Sequence, residues 1–273
     1  MFDRKTVTMS GSPFKGKSLC VITGASRGYG KCIAEMFVTR LVPGSHLLLL
    51  ARNTELLVQV TAQLRSLNKE VQVTWSEFDQ SKLSDCSPEN IEAILKKSCK
   101  NLGGFETFFL IHNAGSVGDL TKYSWEYIDA DMLSSAVNTN LTGTFLLNAS
   151  LLTEIRKHDY KHKVIVNISS LAALQPFASW SLYCAGKAAR DMFFLTMAKE
   201  DPSLRVLNWA PGPLDTDMQA QCRQCADPTL REAFNDMYKN GKLLKCEESV
   251  SKLIPLLEEN SFESGQHIDI YDV

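Results

Sequence analysis

Short apolar runs alternate with longer amphipathic ones along nearly the whole chain, and few folds accept that pattern. The short runs are 19–23, 46–51, 71–78, 107–112, 164–168 and 205–210. Between them lie 28–41, 54–68, 88–102, 132–156 and 181–199, whose apolar positions recur every three to four residues. Strand-like runs rich in β-branched and leucyl residues, each followed by a helix, predict right-handed βαβ units. The strands of such a sheet are covered on both faces, so they read as continuous apolar stretches. The expectation is an α/β chain with one doubly wound, Rossmann-type parallel sheet, helices on both faces, and a single domain over 1–273. After Pro211 the pattern loosens over 212–241, a stretch long enough to serve as a lid or substrate loop. It resumes with a helix near 247–259 and a last strand near 267–271.

A formal net charge of −2 gives no excess of positive charge for a phosphate backbone, so nucleic acid is not the expected partner. No run approaches the roughly 18 apolar residues of a membrane span, and the first residues lack the apolar core of a signal peptide. The expectation is a cytoplasmic protein with no membrane partner. Eight cysteines are scattered without the spacing of a disulfide framework and read as reduced core thiols. Cys222 and Cys225 form a C-x-x-C, but no second pair follows to complete a zinc site, and no metal is expected.

The first strand runs into "TGASRGYG", with Gly24, Gly28 and Gly30 opening a helix. Strand, tight turn and helix N-terminus form the context in which a glycine-rich segment cradles a pyrophosphate. The spacing is G-x-x-x-G-x-G, which differs from G-x-G-x-x-G, and tight packing alone also accounts for three glycines. The second strand ends in Arg52 and Asn53, where an NAD site would carry an acid for the ribose hydroxyl. A guanidinium grips a 2′-phosphate that a carboxylate repels, so NADP(H) is the expected cofactor, with Arg27 as a second positive charge. Arg52 as a solvated loop residue is the alternative. Asp79 ends the third strand and is either an acceptor for an adenine amino group or a plain turn aspartate.

Tyr183 and Lys187 stand four apart in "SLYCAGKAARDM", one helical turn along one face. Two snorkelling side chains share that spacing. As chemistry, the pair is a proton donor and its tuning cation. A phenol of ordinary pKa near 10 needs a downward shift of about three units to exchange protons at neutral pH, which an adjacent ammonium favours. Ser170, thirteen residues before Tyr183, follows a strand end and is a hydrogen-bond donor rather than a nucleophile, because no histidine accompanies it in a triad motif. Leu171, Gln175, Phe177, Trp180, Trp209, Gly212 and Met218 flank these positions, and the aromatic ones either sandwich a flat heterocycle or belong to the core.

With "TGASRGYG", "HNAG" at 112–115, "NTNLTG" at 138–143, "NISS" at 167–170 and "YCAGK" at 183–187 in this order, the chain resembles the short-chain dehydrogenase/reductase family. Longer stretches at 164–177, 182–192, 205–218 and 264–272 resemble the branch of that family that reduces side-chain ketones of pterins in tetrahydrobiopterin synthesis. The resemblance implies a catalytic tetrad of Asn140, Ser170, Tyr183 and Lys187. It implies cofactor contacts from Gly24, Ala25, Ser26, Arg27, Gly28, Tyr29, Gly30, Arg52, Asn53, Asp79, Gln80, Asn113, Tyr183 and Lys187, and from Leu214, Thr216 and Met218 after Pro211. The pair Asp79–Gln80 departs from the Asp-Leu usual at that place. A pterin substrate is implied beside Ser170, Leu171, Tyr183 and Gly212, its acidic anchor matching Asp269. Asp269 read without the resemblance is equally a solvated strand-end aspartate. A homodimer through the helices at 132–156 and 185–199 is implied as well. A broad carbonyl reductase and a non-catalytic NADP-binding regulator are the competing readings, and the intact Ser170, Tyr183 and Lys187 speak against the second.

Overall fold

The six apolar runs all form strands, and a seventh strand follows near the end of the chain. In a computed structural model, which describes residues 11–273, these are β1 (Ser18–Thr23), β2 (His46–Ala51), β3 (Gln72–Glu77), β4 (Thr107–His112), β5 (His162–Ile168), β6 (Leu204–Ala210) and β7 (His267–Asp269). They make one sheet in the order β3-β2-β1-β4-β5-β6-β7, with every neighbouring pair parallel. Strand order reverses between β1 and β4, which opens a crevice at the carboxyl ends of those strands. β1, β2, β4 and β6 are buried throughout, as parallel strands covered on both faces must be.

The helices are α1 (Gly28–Val38), α2 (Thr54–Leu67), α3 (Pro88–Ser98), α4 (Ala130–Val137), α5 (Gly143–Ile155), α6 (Ser181–Glu200), α7 (Asp217–Cys222), α8 (Pro228–Lys239) and α9 (Cys246–Glu259). Successive strand residues point to opposite faces. Cys20 and Ile22 join one core with Phe37, Leu57 and Leu253 from α1, α2 and α9, while Leu19 and Val21 join the other with Ile91, Leu151 and Phe194 from α3, α5 and α6. Asn53, Ser87 and Asp227 cap α2, α3 and α8 by accepting a backbone N–H, and proline opens the last two.

Three expectations change. The single helix over 132–156 is instead α4 and α5 joined by a π-helical turn, Asn138–Thr142. Gly143, just after it, lies so close to the Gln80 carbonyl that a Cβ would collide. The segment 212–241 is mostly helical: α7 and α8 bring Cys222, Leu230 and Phe234 onto Trp180 and Tyr183 as a third apolar cluster. Leu230 and Phe234 face inward together because they stand one turn apart. The last strand stops at Asp269, whose carboxylate accepts the Tyr271 N–H and turns the chain into a short 3-10 helix. Among the described residues, no helix is long and apolar enough to cross a membrane.

Candidate active site

The glycine turn is packed against the end of β4. A Cβ on Gly24 would lie 2.9 Å from Asn113 Nδ2, and one on Gly30 would collide with the Gly24 carbonyl. Gly24 and Gly28 take φ of +64° and +54°, which glycine adopts at little cost. Asn113 donates from Nδ2 to the carbonyls of Thr23 (3.0 Å) and Gly24 (3.2 Å), so its side chain braces the turn. Ala25 and Ser26 are buried within it. Arg27 precedes α1 without a side-chain cap, and no acidic residue stands in the first turn. The first N–H groups of α1 are left to an outside acceptor at the positive end of the helix dipole, and that donor set fits a dinucleotide pyrophosphate.

Tyr29 stands in this turn, but its side chain leaves the cofactor cleft. Its hydroxyl accepts from Trp209 Nε1 at 2.8 Å and lies 2.9 Å from Ser249 Oγ, under α9. Only its backbone N–H remains on the cofactor side. Trp209, a candidate for stacking on a heterocycle, is for the same reason wholly in the core.

Register sets Thr23 beside Leu50, so Arg52 follows β2 alongside the glycine turn. Arg52 is exposed and, among the described residues, has no hydrogen bond or ion pair. Asn53 spends its Oδ1 on the Leu56 N–H at 2.9 Å, capping α2. Asp79 Oδ1 accepts from the N–H (3.0 Å) and hydroxyl (2.7 Å) of Ser81, a turn arrangement. Gln80 is buried and donates to Thr139 O at 2.6 Å and Thr144 Oγ1 at 2.9 Å, so its amide nitrogen is tied to the π turn. Beyond β6, Thr216 lies over Gly28, with 3.7 Å between its Cγ2 and a Cβ placed there. Arg27 Nη1 reaches Asp217 Oδ2 at 2.6 Å, and this exposed pair joins the glycine turn to α7. Leu214 is buried and bridges to Leu244, and Met218 is exposed on α7.

The tetrad residues come from three elements, the π turn, the segment after β5 and α6, that meet at the carboxyl ends of β4 and β5. Asn140, in the π turn, donates from Nδ2 to Ser116 O (3.0 Å) and accepts the Ser116 N–H on Oδ1 (2.9 Å). Ser170 follows β5; its Oγ accepts from the Ala172 N–H at 3.1 Å, leaving its own proton to donate. Tyr183 is buried in the first turn of α6, near enough to Ser170 for that hydroxyl to favour the phenolate. Lys187, one turn on, is buried with Nζ 2.6 Å from Ile168 O and 5.5 Å from the centre of the Tyr183 ring.

Electrostatics here depart from the expectation. Burial raises the Tyr183 phenol above its ordinary value, and the cation that pulls it back is Arg190. Burial, reinforced by the Arg190 charge, holds the Lys187 ammonium well below its usual range. Sequence reasoning missed Arg190. The signal was its place seven residues after Tyr183, two helical turns along the same face.

Asp269 pairs in register with Ala210, which puts it at the carboxyl edge, next to the start of the 212–241 segment. Gly212 takes φ +81°, and a Cβ there would press on Ile270 and Leu244 at 2.9 Å. Leu171 is exposed beside Ser170. Trp180 stacks on Phe234 with centroids 5.2 Å apart and meets Tyr183 edge-on at 5.7 Å.

The description "short chain dehydrogenase" matches residues 18–227. The chain belongs to the short-chain dehydrogenase family. It is 41% identical over 259 residues to a protein of Xenopus tropicalis described as sepiapterin reductase, covering 94% of this chain and 97% of the other. The Bos taurus protein of the same description is 40% identical over 262 residues, with 94% and 96% covered. A short-chain dehydrogenase of Shigella flexneri 2a, solved in complex with NADP, superposes with a TM-score of 0.75 at 25% identity and covers 95% of this chain and 99% of its own. This short-chain dehydrogenase is therefore an oxidoreductase that works with a nicotinamide cofactor.

Proposed function

We propose that the chain reduces side-chain ketones of a pterin, of the sepiapterin or 6-pyruvoyl-tetrahydropterin type, with NADPH. The observation that carries this reading is the meeting of Ser170, Tyr183 and Lys187 at one end of the sheet whose carboxyl edge also carries Asp269. The likeness to the sepiapterin reductases of Xenopus tropicalis and Bos taurus supports it.

A nicotinamide dinucleotide held by the glycine turn and the uncapped start of α1 would supply the hydride for the carbonyl carbon. Tyr183 gives its proton to the carbonyl oxygen as negative charge grows there, and the Ser170 hydroxyl donates a second hydrogen bond to the same atom. Proton and hydride together turn the ketone into an alcohol. Lys187 would hold the ribose of the cofactor, and when protonated it adds positive charge beside Tyr183. Asn140 fixes Ser116 and with it the strand-end segment beneath the reacting atoms. Asp269, its Oδ1 held by the Tyr271 N–H at 3.1 Å, offers a carboxylate to the paired N–H and amino donors of a pterin edge.

Arg52 supports NADP over NAD, since among the described residues it has no partner while Arg27 is engaged by Asp217. The segment 212–241 is the substrate loop of a single 1–273 domain. A homodimer through α4, α5 and α6 belongs to the reading: α4 buries no residue, Phe145 and Phe193 stack at 3.9 Å across α5 and α6, and Met192 is exposed. The free state of all eight cysteines is in keeping with a cytoplasmic enzyme.

Loss of NADPH absorbance with sepiapterin, set against a panel of simple ketones and diketones, tests the substrate. Sepiapterin should have the highest kcat/KM, and Asp269→Asn should raise its KM by about tenfold while that of a diketone stays within about twofold. Equal kcat/KM across the panel would refute the pterin reading in favour of a broad carbonyl reductase, and NADPH binding without turnover would leave a regulator.

A further inference from the structure

Arg190 has no part in that chemistry, yet it occupies a setting that packing alone does not call for. It is 1% exposed. Its Nε donates to Asn167 Oδ1 at 2.8 Å, Nη1 to Ala114 O at 3.1 Å and Nη2 to His112 O at 2.8 Å. All three acceptors are neutral. The neighbouring carboxylate, Asp191, is turned elsewhere: Oδ1 accepts from Asn167 Nδ2 at 3.0 Å, and Oδ2 lies 2.6 Å from His267 Nδ1. A guanidinium buried on neutral acceptors carries the desolvation penalty of an ion without the direct compensation of a paired one. An amide or apolar side chain would join the strands without that cost.

Residues 183, 187 and 190 follow one another at spacings of four and three, so Arg190 shares the α6 face that carries the Tyr183–Lys187 pair. Its carbonyl partners, His112 and Ala114, begin the segment that runs on through Gly115 to Ser116, where Asn140 is fastened. We infer that Arg190 is a positioning residue for the proton transfer: a permanent charge beneath Tyr183 and Lys187 that favours proton release from both, while its two bonds to His112 and Ala114 hold the 112–116 segment in place. The inference rests on Tyr183 being the proton donor.

The other titratable groups around it leave Arg190 as the working cation. On α6 itself, Lys187 is held well below its usual range, whereas Arg190 falls only to about 10 and stays charged at neutral pH. From β4, His112 is brought down to about 3 by burial and the Arg190 charge, and is neutral. From α7, Cys222 faces Tyr183 and is pushed up to about 12 by burial, so it too is neutral. From β7, His267 reaches the cluster only through Asp191.

The test is the pH profile of kcat at saturating NADPH for Arg190→Gln, Arg190→Lys and Asn167→Asp, with circular dichroism confirming the fold of each. Reduction needs protonated Tyr183, so its rate falls as pH rises past the proton-donor pKa. Removing a positive charge makes Tyr183 and Lys187 alike hold protons more tightly, so the basic limb moves up. Arg190→Gln is expected to shift that limb upward by about one pH unit and to lower kcat at neutral pH about tenfold, whereas Arg190→Lys leaves the limb in place. Asn167→Asp sets a carboxylate against Arg190 Nε, cancels its field with the guanidinium present, and should move the limb in the same direction even if Arg190→Gln fails to fold. A lower kcat with an unmoved limb in both neutralising variants overturns the inference and leaves Arg190 a strand tie. Tyr183→Phe separates the two levels: retained turnover there overturns the proton-donor reading itself. A wrong substrate class does not affect the test, because any ketone that is turned over reports the profile.

Discussion

Replacing Tyr29 by phenylalanine removes one oxygen from the glycine turn without touching a backbone atom of it. That oxygen accepts the Trp209 indole N–H at 2.8 Å and bonds Ser249 Oγ at 2.9 Å, and Trp209 and Ser249 are both fully buried. Leaving a buried donor or acceptor without a partner costs about 1–3 kcal/mol, so the two orphaned groups together cost about 2–6 kcal/mol. The folded-to-unfolded ratio then falls by at least about 30-fold. For a chain of this size that is a drop in Tm of roughly 4–10 °C. The Tyr29 N–H stays in the uncapped first turn, so affinity for NADPH should change less than about threefold. Equilibrium urea unfolding gives the first quantity and fluorescence titration with NADPH the second. Adding Ser249→Ala to Tyr29→Phe should restore about 1 kcal/mol, since a pair replaced on both sides leaves nothing unsatisfied. An unchanged midpoint in urea together with a tenfold loss of NADPH affinity would refute the reasoning and turn the Tyr29 hydroxyl toward the cofactor.

Arg52→Glu should raise KM for NADPH by about 10- to 100-fold and leave that for NADH nearly unchanged, since one charge-assisted contact to the 2′-phosphate becomes a repulsion. Steady-state kinetics with both cofactors read this directly, and parallel changes in the two KM values would remove Arg52 from discrimination. Acid stability follows from two buried histidines. Burial lowers His46 to about 4 and His112 to about 3 from the ordinary 6.5. Each is neutral when folded, and the unfolded chain binds the proton more readily. Their stabilisation is therefore complete above pH 6.5 and is lost as pH falls toward pH 3–4, on the order of 3 kcal/mol for His46 alone. Denaturation midpoints measured across that range should fall steeply, and His46→Gln should flatten part of the slope.

Strand positions were readable because a parallel sheet buried on both faces leaves long apolar runs, and β2 and β4 have the very limits those runs predict. The glycine turn and the Tyr183–Lys187 spacing were readable because their chemistry is local: a turn, a helix N-terminus, one helical repeat. Side-chain direction was not. Tyr29 points inward because Trp209 and Ser249, 180 and 220 residues away, need a partner for their buried polar atoms. Arg190 was hidden for a similar reason. Two of its three acceptors are backbone carbonyls 76 and 78 residues away, and a carbonyl carries no mark in a sequence. The helices within 212–241 escaped notice because α8 has no fully buried residue, so its apolar stripe is short and interrupted by charge.

The π turn Asn138–Thr142 makes part of this enzyme a matter of counting. Such a turn is an α-helix holding one surplus residue. Each helical residue advances about 100° around the axis, so excising any one of the five would let α4 and α5 fuse into an even rod and swing one half against the other by about that angle. Asn140 would then turn away from Ser116, although no residue that touches the reacting carbonyl had been altered. Thr139 and Leu141 are therefore positions at which length is under stricter control than identity: a chain lacking one residue there would carry Asn140 out of line with the Ser116 backbone it holds.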